Sequence, residues 1–480
     1  MKNFTVVISI IILAFGSVEA QNDLSFYHLG KTIPQGNHMN PAFFPDAKFY
    51  LSLPAISGIQ MSLNNSFAYK DLFTKIPNSE EVLIDVDNLL SKLENGDRID
   101  FNSNISLFQF GLRLNQTSFI TVFANERISL GMAYPVEFLR YAWKGNLGYG
   151  GNSFTEGDLE VSANYFREIG VGYSRDLSIL GGRRLSVGLR IKMLQGLVNV
   201  NSSDNLSFSI DTDSQSFDMN VSVNDPVFYT AGIDDNSLGG DNAGAYLGSN
   251  GNKGLGLDLG TEFEYNEKIN IAFSINDLGS INWSDEVKNY TVNNTQISYE
   301  GLDLKNTSDL GRALTDTLSA KFKDEENALS FKRTLDTRIF LGGTYQILPK
   351  GNVSASITNK FILGKPNTSF GLGYTHKFGK VLTASGTMTK KPKQKPTFGG
   401  GFAFRLSFFQ LYAVVDNAFG YSDVTSLKNM DFRIGLNFIF GSHKPKERVL
   451  KEKEEKELIS PFPPEYDLDH LEKSDDGGGR

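Results

Sequence analysis

The sequence predicts an all-β transmembrane antiparallel β-barrel of about 14 strands, and three observations predict it. Apolar and polar residues alternate at period two over runs at least as long as the roughly 9–11 residues a tilted strand needs to cross a bilayer. Strands of soluble domains usually stop at about 5–6 residues. Mean hydropathy is slightly below zero although the 480 residues include 37 Phe, 18 Tyr and 47 Gly, as expected when apolar and polar faces share every strand. The connections between runs also alternate in length, with all the long ones on one side, which is how outer-membrane barrels separate external loops from periplasmic turns.

The chain opens with Lys2, an apolar run from Val6 to Phe15 and small residues ending at Ala20. This is the layout of a Sec-type signal peptide cut before Gln21, with an uncleaved anchor as the competing reading. With no cysteine, the exported chain is neither a lipoprotein nor a disulfide-stapled domain. A net charge of −8 gives no case for nucleic acid. Residues 21–56 are polar and turn-rich and read as an N-terminal plug or hatch-like segment, followed by the barrel over 57–441 and a charged tail over 442–480.

Wall strands are expected at 57–69, 102–114, 117–134, 158–174, 183–200, 254–265, 268–276, 332–348, 351–363, 368–378, 380–389, 396–406, 408–416 and 431–440. Splitting 117–134 at Asn125-Glu126-Arg127 and adding 48–54 gives the 16-strand alternative. In 183–193 (RRLSVGLRIKM), Leu185, Val187, Leu189, Ile191 and Met193 are expected to face lipid, while Arg184, Arg190 and Lys192 face the lumen. A soluble β-sandwich array or β-helix would also alternate, with the greasy face inward. Helical spacing marks 80–93 and 306–322 as short amphipathic helices in the external loops, capping the barrel or forming a ligand groove. The loop 234–254 clusters Asp and Asn with Gly, which reads as a turn-rich connection or a calcium loop. The tail reads as solvated and partly disordered, with docking to a periplasmic partner as the sharper alternative.

With the turn-side ends of 183–200 and 254–265 level, Arg190 falls near Asp258 and Arg184 near Glu264, with Glu262 close by. Such charges make either a cross-strand salt-bridge ladder or a constriction that tunes passage. The five histidines show no metal-ligand spacing, and no catalytic constellation or cofactor motif is present. No enzymatic activity, metal or cofactor is expected.

The last strand carries Arg433, Gly435, Phe438 and Phe440, a polar-x-Gly-x-x-aromatic-x-aromatic pattern. It resembles the β-signal that the barrel-assembly machinery recognises on a terminal strand, whose open edge needs a partner until closure. Near the mature N-terminus, Asn40-Pro41-Ala42 resembles the hatch region of FadL-like outer-membrane transport proteins. Leu51-Ser52-Leu53-Pro54-Ala55, Asp277 to Trp283 and Gln410 to Asn417 resemble an uncharacterised family of FadL-like barrels. The resemblance implies a Gram-negative outer-membrane location with both termini periplasmic. It further implies passive passage of small hydrophobic molecules, or a non-conducting scaffold or secretion-associated adaptor like the similar type IX barrels. The expected partners are outer-membrane lipid, the assembly machinery, a small hydrophobic ligand and a periplasmic partner of the tail.

Overall fold

The computed structural model describes residues 24–441 except 54–56, 77–80, 146–149, 157–158, 180–182, 217, 234–250, 293–295, 300–323, 363–364 and 392–393. Its wall is built from β1 (Phe49–Ser52), β2 (Ile59–Asn65), β3 (Arg98–Arg113), β4 (Ser118–Ala133) and β5 (Val161–Ile179). It continues through β6 (Arg183–Ser202), β7 (Lys253–Glu264), β8 (Ile269–Trp283), β9 (Arg338–Leu348) and β10 (Gly351–Ile362). It ends with β11 (Lys365–Phe378), β12 (Leu382–Lys390), β13 (Thr397–Leu406), β14 (Phe409–Val415) and β15 (Asn429–Phe440). From β2 onward each strand pairs antiparallel with the next, β1 pairs with β3, and β15 pairs back onto β1 and β2, so the wall is a closed barrel of 14 strand positions. Closure leaves no ladder edge open, the condition for a sheet to sit in hydrocarbon.

Two corrections to the expected wall follow. β1 and β2 share one position: Phe49 faces Phe440 on one side and Leu112 on the other, and Ile59 faces Ile434 and Ile105. The barrel therefore begins at Phe49 rather than at residue 57. β4 also runs unbroken through Asn125–Arg127, because every one of these residues has a ladder partner on β5. Together these two facts exclude 16 strands.

Side-chain parity follows the pleat. On β6, Leu189, Ile191 and Met193 are 38%, 55% and 69% exposed, whereas Arg190 and Lys192 are 2% and 1%. The outer face is apolar in the same way along β7 and β8, with Leu255, Leu259, Ile271 and Phe273 exposed. A closed surface with this much outward hydrocarbon is suited to lipid and unsuited to water. Among the described residues no helix is long and apolar enough to cross a membrane, so any crossing is made by strands.

The loops between β2 and β3, β4 and β5, β6 and β7, and β8 and β9 all leave from one end of the barrel, called here the long-loop end. Strands from three of these loops, at 153–156, 207–212, 219–224 and 296–299, pair into a small separate sheet. The helix expected over 80–93 is shorter, Val86–Lys92, because Asp85 caps it: its side chain accepts from the Asn88 amide, and Val82–Ile84 is extended. The second expected helix, 306–322, and most of the 234–254 loop lie outside the described residues.

Candidate functional site

The lumen is filled from within by the chain's own residues 24–47. Leu24–Tyr27 forms one helical turn, and two short 3-10 segments, Gly30–Thr32 and Pro34–His38, follow. Ser25 bonds through its amide to Asp416 and through its hydroxyl to Thr387, at the long-loop end. From there the segment descends past Ser354, which bonds His28 Nδ1, to the turn end, where Lys31 pairs with Glu262 and, at 3.6 Å, with Glu264. It leaves the lumen as β1.

The Asn40-Pro41-Ala42 turn is seated on the wall. Asn40 Nδ2 donates to the carbonyls of Thr261 (3.0 Å) and Phe273 (3.2 Å), and its Oδ1 accepts from the Ala42 amide at 2.9 Å. Ser174 Oγ donates to the Pro41 carbonyl at 2.6 Å. The fit depends on two wall glycines. A Cβ on Gly188 would fall on the Pro41 backbone, and one on Gly260 would fall on the Asn40 side chain. Phe26, Tyr27, Leu29, Ile33, Met39 and Phe43 of the segment form an apolar cluster with Phe340, Tyr412 and Val414 of the wall.

Above the turn lies a layer of buried ion pairs. The register sets Asp258 opposite Arg190 and Glu264 opposite Arg184. Arg190 Nε stands 3.5 Å from Asp258, its guanidinium lies 4.0 Å over the Phe123 ring, and it donates to the Asn37 carbonyl and the His38 ring. Lys192 Nζ meets Asp258 at 2.7 Å and also pairs with Asp277. Arg184 pairs with Glu264, and Glu262 accepts from Asn270 besides Lys31. The six charges singled out in the sequence thus form two groups: Arg190, Lys192 and Asp258 in mid-lumen, and Arg184, Glu262 and Glu264 at the turn end.

Sequence reasoning missed the members that complete the mid-lumen group. Asp277 receives Arg127 at 2.7 Å and Arg338 at 3.2 Å, while Glu168 receives Arg127 at 3.3 Å and Lys192 at 3.8 Å. The sequence does carry their signal: Arg127, Glu168 and Arg338 stand at lumen-parity positions of long strands. Asp277 was hidden by a bulge, because the β7–β8 register shifts between Leu257 and Leu259. It adopts φ +63°, a left-handed conformation that aspartate tolerates, and this aims its carboxylate into the lumen.

His38 is held well below the usual histidine pKa, by burial first and then by the Arg190 and Arg433 guanidiniums; burial pushes His28 down to about 4. Both rings are therefore neutral in the fold and would take up protons once released below about pH 6.5. Their contribution to holding the segment is complete above that pH and lost as pH falls from there toward 4. Protease protection of residues 24–47 is accordingly expected to be flat from pH 8 to 7 and to fall between pH 6.5 and 4. His38→Gln, which cannot take up the proton, should flatten its share of the fall.

The terminal-strand residues split by face. Arg433 points inward with its guanidinium 4.0 Å over the Phe26 ring, and Gly435 makes room for the inward Ser57 carbonyl. Phe440 and Phe438 lie outside, in an aromatic row with Phe408 and Phe49 across the seam of closure.

On the long-loop side of the ion-pair layer is a cavity of about 100 Å³. Phe166, Trp283 and Leu335 line it together with Gln60, Asn102, Asn104, Arg127, Arg338 and Lys360, and the Arg127 guanidinium lies 5.3 Å over the Phe166 ring.

No curated protein matches the chain. Solved structures similar to it include the toluene transporter TbuX of Ralstonia pickettii (11% identity, TM-score 0.42, 88% of this chain and 99% of that one). Others are the toluene transporter TodX of P. putida (10%, 0.38, 85% and 94%) and a Pseudomonas aeruginosa FadL homologue (11%, 0.39, 89% and 100%). At these TM-scores the likeness lends no weight to a ligand or an activity, and the barrel stands on its own strand pairings. One family model matches residues 41–416, from the seated turn to the end of β14, and so the chain belongs to the family of unknown function DUF5723.

Proposed function

We propose that this protein is an outer-membrane barrel through which small hydrophobic molecules pass, with residues 24–47 as the barrier that must move. The observation that carries the reading is the apolar cluster between segment and wall: when Phe26, Leu29, Ile33 and Met39 shift, they uncover Phe340, Tyr412 and Val414 inside a barrel whose outer face suits lipid. The segment is tied by hydrogen bonds and ion pairs to side chains and a few carbonyls, not by strand pairing, so it can leave its seat without opening the wall ladder. In this reading the long loops face outward, the terminal strand leads assembly through its exposed edge, and the tail lies in the periplasm.

Uptake of labelled hydrophobic solutes into proteoliposomes tests it. Saturable uptake by the intact barrel, faster after removal of 21–47, is the expected result. The mid-lumen ion pairs favour a second reading, a non-conducting scaffold or secretion-associated adaptor, since they occupy the lumen without help from the segment. That reading requires no uptake from either protein.

A further inference from the structure

At the long-loop end, the β6–β7 and β8–β9 connections flank a second pocket of about 310 Å³, at the low end of the roughly 300–1,000 Å³ that small-molecule sites span. Two aromatic rings, Tyr229 and Phe331, line it together with Asp204, Asn205, Asp225 and two cations. We propose that this pocket binds a pyranose sugar, free or at the end of a surface glycan.

The rings are set before a ligand arrives. Val227–Ala231 is a strand laid on the long-loop end of β6, with Tyr229 opposite Asn201, and Phe331–Thr334 is a strand laid on the same end of β8, with Phe331 opposite Trp283. Phe331 stacks on Trp283 at 6.3 Å and 18°, and Trp283 is 1% exposed, so the ring has a fixed backing. Tyr229 leans on Phe331 at 5.3 Å and 46°. Both pocket rings are half-buried and keep part of their surface open. The C–H groups on one side of a pyranose suit such a surface, because an aromatic face is electron-rich and apolar.

The polar groups exclude other ligand classes. Among the lining residues Asp204 and Asp225 stand against Lys332 and Arg333, which leaves no charge for an ion to neutralise. Arg333 is held in place, by Asp204 at 3.1 Å and by the Ser202 carbonyl at 3.1 Å. Asn205, Asp225 and Lys332 are exposed, and their side chains have no partner among the described residues. A carboxylate only accepts, an ammonium only donates, and a carboxamide does both. A hydrocarbon would strip water from these groups and return no hydrogen bond. A neutral ring with hydroxyls at its rim and C–H groups on its face satisfies donors, acceptors and rings together, and that is the chemistry of a sugar.

The pocket lies on the long-loop side of the lumen cavity, shares Arg333 with it, and needs no movement of residues 24–47. The inference therefore goes beyond the passage of hydrophobic molecules and stands whether or not the lumen conducts.

Saturation-transfer NMR on the full-length barrel, in a detergent without a sugar headgroup, tests it. The probes are the methyl glycosides of glucose, galactose, mannose, rhamnose and N-acetylglucosamine. At least one should bind saturably, roughly tenfold or more tightly than cyclohexanol, with little loss on adding salt. Tyr229→Leu, which keeps apolar bulk and loses the aromatic face, should weaken binding about tenfold, while Tyr229→Phe should stay within about twofold. Asp225→Asn keeps the backbone, since asparagine tolerates φ +48°, and should weaken binding about threefold through the lost charge. No bound glycoside from protein that still migrates as a folded barrel would overturn the proposal. So would cyclohexanol bound as tightly as the best glycoside, or full binding by Tyr229→Leu. Beads carrying the best glycoside on a short linker separate the two sources: retention of the barrel assigns the site to the terminal sugar of a glycan, and binding of the untethered glycoside alone assigns it to a free sugar.

Discussion

Asp277→Asn is expected to cost the barrel about 3–5 kcal/mol, the effect of removing one partner from a buried ionic group. Asparagine matches aspartate in shape and tolerates φ +63°, so the backbone stays and only the charge is lost. Arg127, Lys192 and Arg338 would each lose an anionic partner in a layer where Lys192 and Asp277 are 1% and 0% exposed. The check is the temperature at which the folded, fast-migrating barrel converts to the unfolded band. It should fall by many degrees in Asp277→Asn and stay unchanged in Asp204→Asn, whose pair with Arg333 is 65% exposed on the acid side. An equal fall in both would mean that the buried layer has no special place in stability.

The contrast between these two aspartates shows what the sequence made legible. Alternation at period two is written residue by residue, so the faces of β6 and β7 and the pairings Arg190–Asp258 and Arg184–Glu264 could be read once the two strands were aligned. Bulges are not written that way. The register shifts at Ser106/Phe108, at Tyr165/Phe166 and at Leu257/Leu259 each change which residues face inward, by steps that no local pattern announces. The last of them brings Trp283 inside and turns Asp277 toward Arg127. The course of residues 24–47 was hidden for a different reason. Its fixed points are contacts such as Ser25 with Asp416 and Gln35 with Asn437, hundreds of residues apart, and nothing local specifies them. The Asn-Pro-Ala turn was visible as a turn, but the two glycines that receive it were visible only as lumen-facing small residues.

Those glycines carry the second large effect. Gly188→Val places a branched side chain on the Pro41 backbone, which is not a flexible group that can swing aside. The turn must rise off β6, and with it go the Asn40 bonds to Thr261 and Phe273 and the Ser174 bond to Pro41. The wall itself loses nothing, since valine is at home in a strand and the Gly188 ladder partners, Gly260 and Ser174, are unchanged. Trypsin cleavage at Lys31 should therefore become at least a hundredfold faster while the barrel keeps its folded migration. Gly386→Val is the matched control, because a Cβ there meets nothing within 4 Å. If passage depends on the segment leaving its seat, solute uptake should rise in Gly188→Val and not in Gly386→Val. Faster cleavage with no uptake would instead place the barrier in the ion-pair layer, where Asp277 and Lys192 close the lumen without the segment.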